Sequence, residues 1–147
     1  MKLFVEIGED NTGKTTRIHK LARMIEQFLA ILKKKGFFVK KPTRELSPID
    51  YKDINRTYKI LCSNHEIVIT LASAGDGPKQ VETSYSYGAA KKADIHIMAT
   101  RKREFVNNLG GEKFFWDLAE DDRLRKRVSD IEKEIKEMIK KGNNNDN

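Results

Sequence analysis

A chain of 147 residues has the length of one domain with a single substantial core. Its 38% hydrophobic and 35% charged content argues against a disordered polymer, and no apolar stretch is long enough to cross a bilayer. The 29 Lys and Arg against 22 Asp and Glu give a formal charge of +7, which favours polyanionic ligands, nucleotides and nucleic acid alike.

Lys2 to Ile7 reads as a short apolar strand, followed at once by GEDNTGKTT, residues 8 to 16. A helix is predicted next, with Ile18, Leu21, Ala22, Ile25, Phe28, Leu29 and Leu32 on one stripe. Lys33 to Lys35 complement its carboxyl end and Gly36 closes it. Phe37 to Val39 forms a second strand, so the first forty residues predict a βαβ unit with parallel strands. Pro42 to Asn55 has no periodicity and reads as a long loop, its stretch around Thr43 to Asp53 well placed to close over a substrate.

Thr57 to Leu61 and Glu66 to Ala72 predict an antiparallel hairpin. SAGDGP, residues 73 to 78, is a turn whose proline suits the first position of a helix carrying Val81, Tyr85 and Ala89. Asp94 to Ala99 is a further buried strand. Between Arg101 and Leu118, one short helix is expected around Phe105 and another over Phe114 to Leu118. A last helix carries Leu124, Val128, Ile131, Ile135 and Met138, with Gly142 as its stop and a polar tail beyond. The expected architecture is one α/β domain over residues 1 to 141, a three-layer α/β/α sandwich with a mostly parallel sheet and one antiparallel hairpin, plus a tail over 142 to 147. The lone Cys62 forms no internal disulfide, and MKLFVEIGED lacks a secretory signal's long apolar run, so a cytoplasmic setting is expected.

GEDNTGKTT fits G-x-x-x-x-G-K-[ST] at Gly8, Gly13, Lys14 and Thr15. Glycines let the backbone curl around phosphate oxygens, and the amides from Gly8 through Glu9, Asp10, Asn11 and Thr12 to Gly13 can point inward. A helix beginning near Lys14 adds its positive end at the same point. Lys14 is then expected on the β and γ phosphates, the Thr15 hydroxyl on Mg²⁺ and Thr16 near the α phosphate.

With these residues the stretch resembles a Walker A motif, and the chain looks like a member of the P-loop NTPase superfamily. The finer pattern G-x-D-x-x-G-K-T-T, with Asp10 two residues after Gly8, is similar to the loop of thymidylate and related nucleotide kinases. Glu6 resembles the glutamate that commonly precedes that loop, displaced by one residue. The resemblance implies an ATP ligand with Mg²⁺ in a cytoplasmic enzyme. It covers residues 2 to 29; the D-R-[YH] triplet and arginine-rich lid of thymidylate kinases have no counterpart here, and no N-K-x-D guanine signature follows the later strands.

Phosphoryl chemistry also calls for an acid at the end of a strand near the loop. The strand EIVITLA ends instead in Ala72 and Ser73, and the first acid is Asp76 in the turn, a candidate metal partner or base and equally a helix-capping turn residue. Arg101 and Arg103 follow the strand DIHIMA, where a guanidinium can stabilise a transferring phosphoryl group or simply solvate a loop. His19, His65 and His96 have no metal-ligand spacing, and His96 alternates with isoleucines as a sheet residue does. Tyr85, Tyr87 and the cluster Phe114 to Trp116 read as packing. The expected activity is binding of ATP–Mg²⁺ with hydrolysis or γ-phosphoryl transfer to an unnamed acceptor; the alternatives are a phosphate-binding module without turnover and a nucleic-acid-associated ATPase.

Overall fold

The computed structural model describes residues 1–9, 13–44, 46 and 52–144, and in it the N-terminal apolar run is β1, Lys2–Ile7. Leu3 and Val5 are buried on one face and Phe4 on the other, because the strand lies inside the sheet and is covered on both sides. Helix α1, Lys14–Lys34, buries the predicted stripe from Ile18 to Leu32. It ends in a Schellman turn: Phe37 N–H reaches Leu32 O at 3.1 Å and Gly36 N–H reaches Lys33 O at 3.1 Å, with Gly36 at φ +99°.

The chain continues through β2 (Phe38–Lys40), β3 (Asn55–Leu61), β4 (Glu66–Ala72), α2 (Pro78–Ala90), β5 (Ile95–Thr100), a 3₁₀ turn (Arg103–Val106), β6 (Glu112–Asp117) and α3 (Leu124–Asn144). The sheet order is β2-β3-β4-β5-β1-β6. β4, β5, β1 and β6 are parallel neighbours, whereas β3 runs antiparallel to both β4 and β2. The expected hairpin is therefore present, and β2 adds a second antiparallel ladder. β1 and β2 do share a direction, but three strands separate them, so they do not form the adjacent pair that the βαβ pattern suggests.

Two apolar clusters pack the sheet. The larger joins Phe4, Ile97 and Trp116 to α1 and to Val128, Ile131 and Ile135 of α3. The smaller joins Leu3, Val5 and Met98 to Val81 of α2 and Val106 of the 3₁₀ turn. Alternate residues of β1 and β5 supply the two clusters, which follows from the period-two geometry of a strand.

Two expectations near the C-terminus are corrected. Phe114 to Leu118 is not helical: Phe114 to Asp117 falls in β6, paired in parallel register with β1 from Lys2↔Glu112 to Ile7↔Asp117, and Leu118 begins the turn after it. Adjacent aromatics favour strand, and the open edge of β1 provides the partner; Phe114 then stacks on Phe4 with ring centroids 4.7 Å apart. Gly142 does not stop α3, which continues to Asn144. A Cβ at Gly142 would lie 1.8 Å from His65 Cε1, so this glycine answers to the close approach of that ring and not to a helix end. Residues 145–147 lie outside the described residues. Among those described, no helix is long and apolar enough to cross a membrane.

Candidate functional site

The carboxyl ends of β1, β4, β5 and β6 share one edge of the sheet because these strands run in the same direction. α1, which follows β1, packs in the larger cluster, while the 3₁₀ turn that follows β5 packs in the smaller one. Neighbouring strands whose continuations leave to opposite faces open a crevice at their carboxyl ends, where ligands of open α/β sheets bind. The glycine-rich stretch begins there, held by Gly8 N–H donating to Thr100 O at 3.1 Å.

Of the predicted loop residues, Asp10, Asn11 and Thr12 lie outside the described residues. Gly13 takes φ +81°, ψ 26°, the left-handed conformation that glycine adopts without strain, and α1 starts at the next residue. The first turn of α1 contains no acid of its own, so no charge within that turn offsets its positive end. Lys14 is 5% exposed and turns its amine back across the loop, donating to Glu9 O at 2.9 Å. A buried ammonium folded onto a loop carbonyl, beside outward-pointing helix amides, forms a compact cationic recess. Thr15 and Thr16 are half-buried in the same first turn.

The SAGDG turn reaches this recess from β4. Asp76, itself exposed, has Oδ1 3.9 Å from Lys14 Nζ. Gly75 makes the approach possible: its backbone lies against Ala99, where a Cβ would come within 2.1 Å of the carbonyl oxygen, and its own carbonyl accepts from Arg101 N–H at 3.1 Å. Thus Lys14, Asp76 and the start of the Arg101 segment, far apart in sequence, are brought together. Arg103 holds its guanidinium 4.1 Å from the ring centre of Phe115. The Arg101 guanidinium stands 5.6 Å from Phe105, and both arginines line a cavity of about 550 Å³ with Ile7, Gly8, Asp117 and Leu118.

Beneath the loop lies a buried ion network that sequence reading only touched through Glu6. That carboxylate, 1% exposed, accepts from Arg127 of α3 at 2.8 and 3.2 Å and from Arg17 of α1 at 3.1 Å. Arg17 also donates to Asp122 O at 2.8 Å, and Arg127 donates to Asp121 O. One carboxylate on β1 therefore fixes both helices and the segment before α3. Arg127 was indistinguishable in sequence from its neighbours Arg123, Arg125 and Lys126; only its burial separates it.

The remaining candidates are structural. His96 is fully buried, and its Nδ1 lies 2.7 Å from Thr70 Oγ1; burial pushes its pKa down to about 4. Tyr87 Oη meets Thr57 Oγ1 at 2.6 Å, and Tyr85 packs against the smaller cluster. Cys62 is half-buried at the β3–β4 turn, where its N–H donates to His65 O at 2.8 Å, and not inside a strand. Among the described residues, no three His, Cys, Asp or Glu gather as a metal cage. A divalent ion at the recess would take oxygen donors from the Thr15 hydroxyl and a carboxylate, a hard donor set that suits Mg²⁺, with water and ligand oxygens completing the shell.

No protein-family model matches the chain, and no curated protein or solved structure matches it either.

Proposed function

We propose that residues 8 to 16 cradle the phosphates of ATP–Mg²⁺ and that the protein is a small P-loop NTPase, of three-layer α/β/α design, that hydrolyses ATP or transfers its γ-phosphoryl group. The observation that carries this reading is the placement of the G-x-x-x-x-G-K-T-T stretch. It joins the carboxyl end of an interior parallel strand to the start of a 21-residue helix, with Lys14 buried and its amine turned over the loop. An incoming phosphate replaces the Glu9 carbonyl as the acceptor for Lys14, and the uncapped helix amides add to the same anion.

The Thr15 hydroxyl would help to hold Mg²⁺, which would supply charge neutralisation for the phosphates. Asp76 sits where it can hold a metal-bound water or the approaching nucleophile, and Arg101 faces the cavity beside Gly8. That cavity, with Ile7 and Leu118 as apolar wall, has the size of a small-ligand site and takes the nucleoside end. Absence of an N-K-x-D sequence favours adenine or a loose base preference. A cytoplasmic enzyme acting on a nucleotide fits the +7 charge.

A phosphate-binding module without turnover is the second reading, favoured by one observation: β4 ends in Ala72 and Ser73 follows it, with no acid at the strand end. Thermal unfolding with ATP, GTP and dTTP, each with and without Mg²⁺, tests both. Wild type at 100 times the dissociation constant should gain about 2.7 kcal/mol of stability; Lys14→Ala should remain folded and lose most of the shift. A shift of equal size in the variant would sink the phosphate cradle. Turnover that requires Lys14 would remove the module reading.

A further inference from the structure

The acid missing from the end of β4 is supplied in space by another element. β3 is antiparallel to β4, with Asn55 opposite Ala72, so the residues just before β3 arrive at the same sheet edge as the glycine-rich loop. Ser73, 2% exposed, spends its hydrogen bonds on this segment. Its Oγ accepts from Ile54 N–H at 2.8 Å and donates to Asp53 Oδ1 at 3.3 Å, and its N–H donates to Ile54 O at 3.1 Å. A further clamp comes from α1, where His19 Nε2 lies 2.6 Å from Lys52 O. His19 stands four residues after Thr15, one helical turn along the same face.

Resting on the phosphate-cradle reading above, we propose that Asp53 is the second carboxylate of the Mg²⁺ site, held by Ser73 in the place of a strand-end aspartate and facing the metal's water shell. Asp76 is three positions after Ser73, so Asp53 is anchored to a residue within roughly 10 Å of chain from the one that carries the carboxylate beside Lys14. Asp53 is exposed while the serine that holds it is buried. That combination fixes one oxygen and leaves the group open to solvent, as an outer-shell metal ligand requires. The acid is invisible in the sequence because it precedes an antiparallel strand, on the opposite side of the hairpin from where a strand-end acid is sought.

The test is calorimetric and needs no turnover. The affinity of the full chain for the non-hydrolysable analogue AMP-PNP is measured in EDTA and again in Mg²⁺; the ratio is the metal's contribution. In Asp53→Asn that ratio is expected to fall about tenfold, with the affinity in EDTA unchanged. Ser73→Ala, which releases the carboxylate without removing it, should lower the ratio in the same direction by a smaller factor. An Asp53→Asn ratio equal to that of wild type would overturn the assignment while leaving the cradle intact. Failure of wild type to bind AMP-PNP in either buffer would overturn the cradle, and this assignment with it.

Discussion

Glu6, Lys14, Ser73 and His96 are each tied to particular partners, and the consequences differ by residue. His96 is the clearest case for pH. Its folded pKa of about 4 lies below the ordinary histidine value of 6.5 because burial disfavours the charged ring. Below pH 6.5 the unfolded chain takes up a proton that the native state refuses, so stability is full above that pH. It falls as pH drops from 6.5 toward 4, by about 3 kcal/mol in total. Urea midpoints between pH 7 and 4.5 should therefore decline more steeply for wild type than for His96→Gln. The alternation Ile95, His96, Ile97 announces a sheet residue. Its Thr70 partner is not legible, because the pairing of β4 with β5 is a tertiary contact. Lys14 stands between the cases: the motif fixes its position and its Glu9 partner is near in the chain, while Asp76 reaches it only through the tertiary fold.

At the level of elements, helices α1 and α3 are joined to β1 through one carboxylate. Arg127→Ala would leave Glu6 buried with Arg17 alone, and breaking a buried pair from one side costs about 3–5 kcal/mol. Urea denaturation should show that loss, and Arg127→Met combined with Glu6→Gln should recover most of it, since the buried carboxylate is then gone and the partly exposed Arg17 keeps its bond to Asp122 O. A double variant as weak as the single one would mean that packing, not charge, holds α3. The helices themselves were legible because their apolar stripes repeat with helical period: Ile18 to Leu32 in one, Val128, Ile131 and Ile135 in the other. β6 was not legible. Three successive aromatics carry no alternation, and the residues become a strand because β1 has an edge to offer. Gly142 misleads for a similar reason: its meaning lies in the His65 ring, 77 positions away in sequence.

Over the whole molecule, the +7 charge draws polyanions without choosing among them. Its basic residues are interleaved with acids, as at Arg123 and Lys126 on Asp121, whose carboxyl is held well below the usual range chiefly by Arg123. Nonspecific attraction of this kind is screened, so anisotropy of a labelled single-stranded oligonucleotide should show little binding at about 150 mM salt. Tight binding retained there would move the nucleic-acid-associated ATPase ahead of the other readings. By itself, the sequence determined the α/β class, the long helices, the hairpin and the start of α1 at Lys14 after a glycine-rich stretch, all of which rest on local period and spacing. Only the tertiary structure decided that β5 and β6 flank β1, that Arg127 locks Glu6, and that Asp53 meets Ser73. Those facts depend on strand order and direction, which arise from packing between segments distant in the chain and leave no mark on the pattern of any one of them.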